Sequence, residues 1–128
     1  MGNRAIIDRI FALPTVEAIR IALGADGSAF AQHAAAKMDA DSPTSQKLAV
    51  RQIRAGAKLD FDACMRMEWR MVNRILAGHD FYEGVTAALI DTGRKPNWKP
   101  ATLEEVSEAE VASYFAPLPG RELRFDWD

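Results

Sequence analysis

Three side chains that could do acid–base chemistry stand close together near the middle of the sequence: His79, Asp80 and Glu83. An imidazole beside two carboxylates could transfer a proton or contribute ligands to a metal ion. A zinc site lacks enough ligands, however, because His33 is the only other histidine. Asp80 with Glu83 three residues later is also typical of a capping box at the start of a helix. We therefore predict a structural role for all three and assign no catalytic and no metal-binding residue.

Glu68 lies within the apolar stripe of a long predicted helix, one turn from Cys64 and Val72. A buried carboxylate has to be protonated or paired, because an isolated charge is costly away from water. Glu68 could be a protonated acid at a functional site, but an ion pair with Arg51 or Arg70 is the favoured interpretation. Cys64 is predicted to pack as a small hydrophobic side chain rather than to act as a nucleophile.

A basic stripe runs along another predicted helix, at spacings of four, three and four residues: Lys47, Arg51, Arg54 and Lys58. Such a stripe could face the phosphates of a nucleotide, since charge-assisted contacts to phosphate are strong. It could equally be a solvated helix face or a set of partners for nearby acids, which is the commoner arrangement. We favour the structural interpretation.

The sequence has 128 residues with 16 basic and 18 acidic side chains, a net charge of −2. That length predicts one domain, residues 1–128, and the balanced charge gives no argument for binding nucleic acid or an anionic membrane surface. The single cysteine excludes an internal disulfide and suits a reducing compartment. No run approaches the ~20 apolar residues of a membrane-spanning helix, and no signal-peptide core is visible. We expect a cytoplasmic protein.

The elements that would position these side chains are helices. Apolar residues recur at spacings of three and four, and the central prediction is a helix from Asp60 to Ala77 that Gly78 would end. Other helix starts are marked by capping residues at Asn3, Thr15, Ser28, Ser42, Thr102 and Ser107. Residues 122–127 alternate weakly and predict a short strand or a loose tail. The sequence predicts an all-α fold of about seven short helices.

Several runs of sequence carry a family resemblance. They are Ser42 to Ser45 (SPTS), Leu59 to Phe61 (LDF), Glu68 to Arg70 (EWR), Gly78 to Val85 (GHDFYEGV), Leu89 to Asp91 (LID), Pro96 to Val106 (PNWKPATLEEV) and Tyr114 to Ala116 (YFA). With these runs the chain, from about Asn3 to Phe115, resembles the C-terminal region of the 3-hydroxyisobutyryl-CoA hydrolases. Those enzymes are members of the enoyl-CoA hydratase/isomerase (crotonase) superfamily.

The resemblance implies an acyl-CoA thioesterase of valine catabolism, with acyl-CoA as its substrate and no other cofactor. It further implies that this chain is the helical C-terminal lid and oligomerisation domain, without the ββα spiral core that carries the catalytic groups. A start at Met1 would then reflect truncation or an unusual gene start. We expect the chain alone to be inactive, with the N-terminal core as its partner, and to form a homo-oligomer. In a eukaryote the compartment implied is the mitochondrial matrix.

Two alternatives stay open. The chain could belong to an enoyl-CoA hydratase/isomerase homologue that acts on another substrate. It could also be a free-standing helical oligomerisation module derived from such an enzyme.

One departure from the family pattern affects the expected CoA contacts. In related hydratases, the segment after the Glu-Gly pair carries an aromatic side chain and a lysine that contact CoA. The corresponding positions here are Ala88 and Asp91. Arg94 and Lys95, which follow shortly afterwards, are the candidates to bind a CoA phosphate instead.

Overall fold

The computed structural model describes residues 2–128, so the predicted start at Met1 lies outside the described residues. Seven α-helices and one π-helical turn form in this part of the chain. They are α1 (Arg4–Ile10), α2 (Val16–Ala25), α3 (Ala29–Ala40), α4 (Pro43–Gly56), α5 (Phe61–Ile75), α6 (Asp80–Val85), the π-helix (Thr86–Ile90) and α7 (Glu108–Ser113). Residues 2–128 contain no strand, so the short strand that was one of the two alternatives for residues 122–127 does not form. None of these helices is long and apolar enough to cross a membrane.

Five helices begin where a capping residue predicts them to begin. The side chains of Thr15, Ser28, Ser42, Asp60 and Ser107 each accept a hydrogen bond from the backbone N–H three residues later. Such a bond satisfies one of the four N–H groups that the first turn of a helix leaves without a partner. These starts are local events, and the local sequence is sufficient to predict them.

Other predicted helix ends are wrong. Asn3 occupies the N-cap position of α1 but makes no side-chain capping bond. Helix α5 ends at Ile75, and Gly78 does not adopt the left-handed conformation of a C-cap glycine; among residues 2–128 only Gly120 has a positive φ, 71°. No helix begins after Thr102, because residues 101–106 form turns in which Glu105 accepts a hydrogen bond from a nearby backbone N–H.

Two separate clusters of buried side chains hold the helices together. The first joins α1, α2 and α3 and consists of Ile10, Ile19, Leu23, Ala31 and Ala35. The second joins α4, α5 and α7 and consists of Leu48, Met67, Met71, Val106 and Val111. Each large side chain in these clusters stabilises the fold by roughly 1.5–3 kcal/mol through the apolar surface that it removes from water.

The buried face of α5 agrees only in part with the apolar spacing, which predicts a face of Phe61, Cys64, Met65, Met71, Val72, Ile75 and Leu76. Met71 is buried as predicted, and Met67 is buried although it is not on that face. Met67 and Met71 are 7% and 5% exposed, whereas Phe61 is 71% and Val72 41% exposed. Apolar residues occur on more than one side of this helix, so the periodicity of the sequence does not decide which side is buried. Packing against α4 and α7 selects the face that carries Met67 and Met71.

Large apolar side chains remain on the surface of residues 2–128. Ile53, Phe61, Leu89 and Ile90 are each more than 70% exposed, at 72%, 71%, 76% and 76%. Scattered exposed hydrophobic residues are ordinary, but an apolar surface that recurs on successive helices usually packs against something else. Residues 2–128 themselves consist of helices and connecting segments, so the helical part of the predicted fold class agrees with the structure.

Candidate functional site

A cleft of about 670 Å³ lies between the start of α4, the corner that joins α5 to α6, and the extended arm formed by residues 95–101. Its apolar wall includes Leu48, Ile75, Phe81, Val85, Leu89 and Trp98. Its polar side chains include Ser42, His79, Asp80, Lys99 and Tyr114. The cleft thus contains residues from the SPTS, GHDFYEGV, LID, PNWKPATLEEV and YFA runs, all of which carry the family resemblance.

Asp80 holds the polar end of this cleft together. The Ser42 hydroxyl donates a hydrogen bond to its Oδ2 at 2.6 Å, and the backbone N–H of Lys99 donates to its Oδ1 at 2.9 Å. Nδ1 of His79 lies 2.8 Å from the same Oδ1. The Asp80 side chain is only 12% exposed. A carboxylate with three partners fixes the position of its neighbours and is poorly placed to act as a general base.

Glu83 holds the arm from the next turn of α6. Its carboxylate pairs with the Arg94 guanidinium and accepts a hydrogen bond from the backbone N–H of Asn97 at 2.8 Å. These two interactions, that with Arg94 first, hold the pKa of Glu83 below its ordinary value. The predicted capping box of Asp80 and Glu83 is therefore wrong: His79 is the N-cap of α6 without a side-chain capping bond, and both carboxylates bind residues of the arm.

Trp98 packs the arm against two helices. Its indole N–H donates to the carbonyl oxygen of Ala40, the last residue of α3, at 2.9 Å. Its ring lies so close to α6 that a Cβ built on Gly84 would stand 3.2 Å from the ring. That spacing is tighter than ordinary van der Waals contact, so the glycine in the Glu-Gly pair permits the close approach of Trp98.

Tyr114 contributes a neutral hydroxyl to the cleft. Burial, followed by the negative charges of Glu110 and Asp80, raises the pKa of Tyr114 above its ordinary value. The phenol therefore keeps its proton at neutral pH and remains a hydrogen-bond donor.

The basic stripe on α4 has structural partners. Lys47 is 9% exposed, forms an ion pair with Glu17 of α2, and donates to the carbonyl oxygen of Val106 at 2.8 Å. The Arg51 guanidinium lies over the ring of Phe115, 4.9 Å from its centre. The interpretation of the stripe as partners for nearby groups is confirmed at these two positions.

Arg54 binds the connection between α1 and α2. Its guanidinium donates to the carbonyl oxygens of Phe11, Leu13 and Pro14 at 3.2, 2.6 and 2.9 Å. These carbonyls have no helix to pair with, and Arg54 satisfies them together. Lys58, the last member of the stripe, is exposed.

Glu68 is exposed and accepts a hydrogen bond from the Gln52 side chain at 3.1 Å. The predicted ion pair with Arg51 or Arg70 is wrong, because α5 turns Glu68 outward and both arginines have other partners. Cys64 is half-buried, with its Sγ 3.6 Å from the carbonyl oxygen of Gly56, as expected for a packing side chain.

The two residues predicted to bind a CoA phosphate differ in their surroundings. Arg94 is paired with Glu83 and lies 3.3 Å from a carboxylate oxygen of Asp91. Lys95 is exposed and has no ion pair within residues 2–128. Within the same residues, no group of three or more His, Cys, Asp or Glu side chains is placed to hold a metal ion.

The similarity to known proteins agrees with the runs that form the cleft. The sequence model of the enoyl-CoA hydratase/isomerase family matches residues 1–115. The chain belongs to this family. It is 47% identical over 118 residues to the mitochondrial 3-hydroxyisobutyryl-CoA hydrolase of Danio rerio and 40% identical over 119 residues to that of Homo sapiens. These matches cover 92% and 93% of this chain but only 31% of each relative.

Solved structures of the family contain the same arrangement of helices. A carnitinyl-CoA dehydratase from Mycobacterium thermoresistibile superposes with a TM-score of 0.90 and 36% identity, covering 98% of this chain and 36% of that chain. An enoyl-CoA hydratase from Rhodobacter sphaeroides 2.4.1 gives 0.87 and 30%, covering 98% and 38%. These structures correct the predicted fold class in one respect. Residues 2–128 are all helical, as predicted, but the same helices make up only about a third of the larger family folds, and these matches do not support the predicted lack of a spiral core.

The tertiary partners of the site residues could not be predicted from the sequence. Ser42 and Asp80 each lie in a run that carries the resemblance, yet nothing local indicates that they meet. The same is true of Trp98 and Ala40, which lie 58 positions apart in the chain. Shared membership of specific runs was the only signal that could have grouped these residues.

Proposed function

We propose that this chain is the C-terminal helical domain, residues 1–128, of a 3-hydroxyisobutyryl-CoA hydrolase-like acyl-CoA thioesterase of valine catabolism. The observation that carries the proposal is the cleft in which Asp80 and Glu83 of the GHDFYEGV run hold the arm of the PNWKP run. The identity of 47% to a relative named as that hydrolase supports the choice of substrate class.

The proposed reaction is hydrolysis of a thioester. Attack of water on the acyl carbon gives a tetrahedral oxyanion, which needs fixed hydrogen-bond donors for its stabilisation. The carboxylate of Asp80 accepts hydrogen bonds from Ser42 and from the arm, and that of Glu83 accepts one from the arm. Because both carboxylates already have these partners, we assign no catalytic residue to this chain. In this proposal the catalytic groups belong to the N-terminal core found in the rest of the relatives' length, and this domain covers the substrate.

The same proposal places the CoA phosphates near the arm. Lys95, which is exposed, would bind a phosphate directly. Arg94 would contact a phosphate only if it gave up part of its interaction with Glu83. Because Glu83 also holds the arm through Asn97, the position of the arm would then depend on whether substrate is bound. Acyl-CoA is the substrate, and the proposal requires no other cofactor.

The relatives suggest where the protein works and with what. The hydrolases of Danio rerio and Homo sapiens are named as mitochondrial, and we propose the mitochondrial matrix for this chain if its source is eukaryotic and the cytoplasm otherwise. Its proposed partners are the N-terminal core and further copies of the chain, which would cover the apolar side chains exposed on α4, α5 and the π-helix. We propose no contact with nucleic acid or membrane.

A hydratase or isomerase acting on another acyl-CoA is the second candidate, favoured by the solved structures named as a dehydratase and a hydratase. Two assays on one preparation separate the candidates: release of thiol from 3-hydroxyisobutyryl-CoA, and loss of the conjugated double bond of crotonyl-CoA. The preparation combines this chain with the remainder of the Danio rerio relative. Thiol release without crotonyl-CoA hydration supports the hydrolase, and the opposite result assigns the chain to the second candidate.

A free-standing oligomerisation module would behave differently in both assays. Such a module would self-associate through its exposed apolar side chains and would add nothing to the activity of the remainder. Light scattering of the chain alone, compared with the mixture, measures this. Association with the remainder in preference to self-association is the result expected for a domain of the enzyme.

A further inference from the structure

The C-terminal segment, residues 122–128, lies along one face of α5 and runs antiparallel to it. Near the C-terminal end of α5, Arg74 donates to the carbonyl oxygen of Pro117 at 3.2 Å. Near the N-terminal end, Asp62 accepts a hydrogen bond from the indole N–H of Trp127 at 2.9 Å. The family match ends at residue 115, so this segment lies beyond the part of the chain that the family model describes.

The strongest contact joins Arg70 of α5 to Glu122. Nε of Arg70 lies 2.8 Å from Oε1 and 3.0 Å from Oε2 of Glu122, and a second guanidinium nitrogen also contacts Oε1. The arginine and glutamate side chains are 27% and 31% exposed. Bidentate pairing with a partly buried arginine fixes both the position and the charge of the side chain that it accepts.

Two side chains of α5 bind the main chain of the segment. The indole N–H of Trp69 donates to the carbonyl oxygen of Arg121 at 2.8 Å. Nε of Arg66 donates to the carbonyl oxygen of Leu123 at 3.2 Å. Both contacts go to main-chain carbonyl groups, so they do not depend on the identity of the side chains at residues 121 and 123.

The end of the segment presents aromatic rings and a carboxylate. Phe125 and Trp127 stack with their ring centres 4.9 Å apart. The Arg66 guanidinium lies 5.0 Å from the centre of the Phe125 ring and forms an ion pair with Asp128. A cation over an aromatic face adds attraction beyond that of the ion pair.

We propose that this face of α5, formed by Asp62, Arg66, Trp69 and Arg70, is a binding surface for the acidic and aromatic segment of residues 121–128. The chain's own segment occupies it here, and the segment of a second copy of the chain can take its place. The charges are complementary, and every hydrogen bond or ion pair that a side chain of residues 122–128 makes to residues 2–113 goes to α5. The connection through Pro117, Pro119 and Gly120 lies outside both clusters of buried side chains, so its opening exposes Leu118 and leaves the two clusters in place.

Exchange between copies follows from the geometry. The contacts are the same whether the segment comes from the same chain or from another. Which of the two segments is bound therefore depends on the effective concentration of each. A short connection gives the chain's own segment an effective concentration in the millimolar range. The intact chain therefore closes on itself at ordinary concentration, and exchange becomes visible when the internal pair is made unfavourable.

A charge exchange tests this directly. One chain carries R70E and a second chain carries E122R, so that neither can close on its own segment without facing a like charge. When the two are mixed, the helix of each meets a segment of the opposite charge at this position. We expect a 1:1 heterodimer by size exclusion with light scattering, while each chain alone stays at the mass of the wild type. The double variant R70E/E122R is expected to close on itself and to form no dimer with either single variant.

If the light scattering of the mixture equals the sum of the scattering of R70E and E122R alone, no heterodimer forms, and the proposed exchange of segments is wrong. Circular dichroism of each variant is the control that its helices are intact.

A second experiment tests the binding surface without requiring a dimer to form. A fluorescein-labelled peptide of residues 118–128 is titrated into the E122R chain, whose helix surface is unchanged. We expect saturable binding that weakens about tenfold when the peptide carries glutamine in place of Glu122. Absence of saturable binding, or equal binding of the two peptides, overturns the proposed recognition surface. Neither measurement depends on the proposed enzymatic function.

Discussion

The hydroxyl of Ser42 and the carboxylate of Asp80 lie 2.6 Å apart, although 38 positions separate them in the chain. The same hydroxyl accepts a hydrogen bond from the backbone N–H of Ser45, so Ser42 caps α4 while it donates to Asp80. This pair joins the start of α4 to the start of α6 and sets the width of the cleft between them. The shape of the cleft therefore depends on the carboxylate of Asp80, both oxygens of which already have hydrogen-bond partners.

Replacing Asp80 with asparagine should destabilise the fold and loosen the arm. The amide offers one acceptor oxygen where the carboxylate offers two, so Ser42 or the N–H of Lys99 loses its partner. The loss of a partly buried hydrogen bond of this kind costs about 1–3 kcal/mol in the free energy of unfolding. Urea denaturation measures it. The matched control is Asp8→Asn, whose side chain is 68% exposed and pairs only with Arg4, and it should change stability by less than about 0.5 kcal/mol. Equal effects of the two variants would contradict the role of Asp80.

Gly84→Val should displace Trp98 from α6. The added methyl groups would overlap a ring that already lies 3.2 Å from the position of a Cβ, and overpacking of this kind costs about 1–3 kcal/mol. The loss of the hydrogen bond to Ala40 should be visible as a shift in tryptophan fluorescence. Gly93→Val is the control, because no atom lies within 4 Å of its Cβ position. An unchanged fluorescence spectrum and an unchanged urea midpoint in Gly84→Val would show that Trp98 does not pack closely against Gly84.

The pair of Glu122 and Arg70 should make stability depend on pH in the acid range. The hydrogen bond from Arg70, with a smaller contribution from the charge of Arg74, holds the pKa of Glu122 below its ordinary value of about 4.5. A carboxylate with a lowered pKa stabilises the folded state above that value, and the contribution is lost as the pH falls through the lower, folded-state pKa.

The test compares urea midpoints of the wild type and Glu122→Gln between pH 6 and pH 3. The wild type should be the more stable at pH 6, and the difference should shrink as the pH falls below about 4.5. A difference that stays constant over this range would mean that the charge of Glu122 does not stabilise the segment.

Lys95→Ala should weaken substrate binding without affecting the chemical step. In the preparation that combines this chain with the remainder of a relative, loss of one charge near a CoA phosphate should raise KM by roughly three- to tenfold and leave kcat unchanged. The increase should fall with added salt, because exposed charge pairs are screened. Lys58→Ala is the control, since Lys58 is also exposed but belongs to the stripe on α4. An effect of Lys58→Ala that exceeds that of Lys95→Ala would move the phosphate site to α4.

The sequence predicts the helices of this chain better than it predicts their contacts. Caps at Thr15 and Ser28 depend on the residues beside them, so a local pattern is enough. The buried face of α5 depends on α4 and α7, and the pattern therefore favoured Phe61 where packing selected Met67. For residues 122–127 the sequence left a short strand and a loose tail open, because the position of this segment depends on Arg66 and Arg70 of another element.

The sequence predicts that this part of the chain is helical, but not the larger family fold in which the same helices occur. Helical spacing correctly indicates helices, but it carries no information about what else packs against their apolar faces. The side chains of Leu89 and Ile90, each 76% exposed, give that indication only once the helices are assembled. The family was found through the specific runs around Asp80 and Trp98.

The most direct test of the central proposal is thiol release from 3-hydroxyisobutyryl-CoA in three parallel reactions. They contain this chain alone, the remainder of the Danio rerio relative alone, and the two together. We predict thiol release only in the third reaction, because Asp80 and Glu83 are committed to holding the arm and the catalytic groups belong to the remainder. Thiol release by this chain alone would contradict the account and make Asp80 and His79 the first candidates for catalysis.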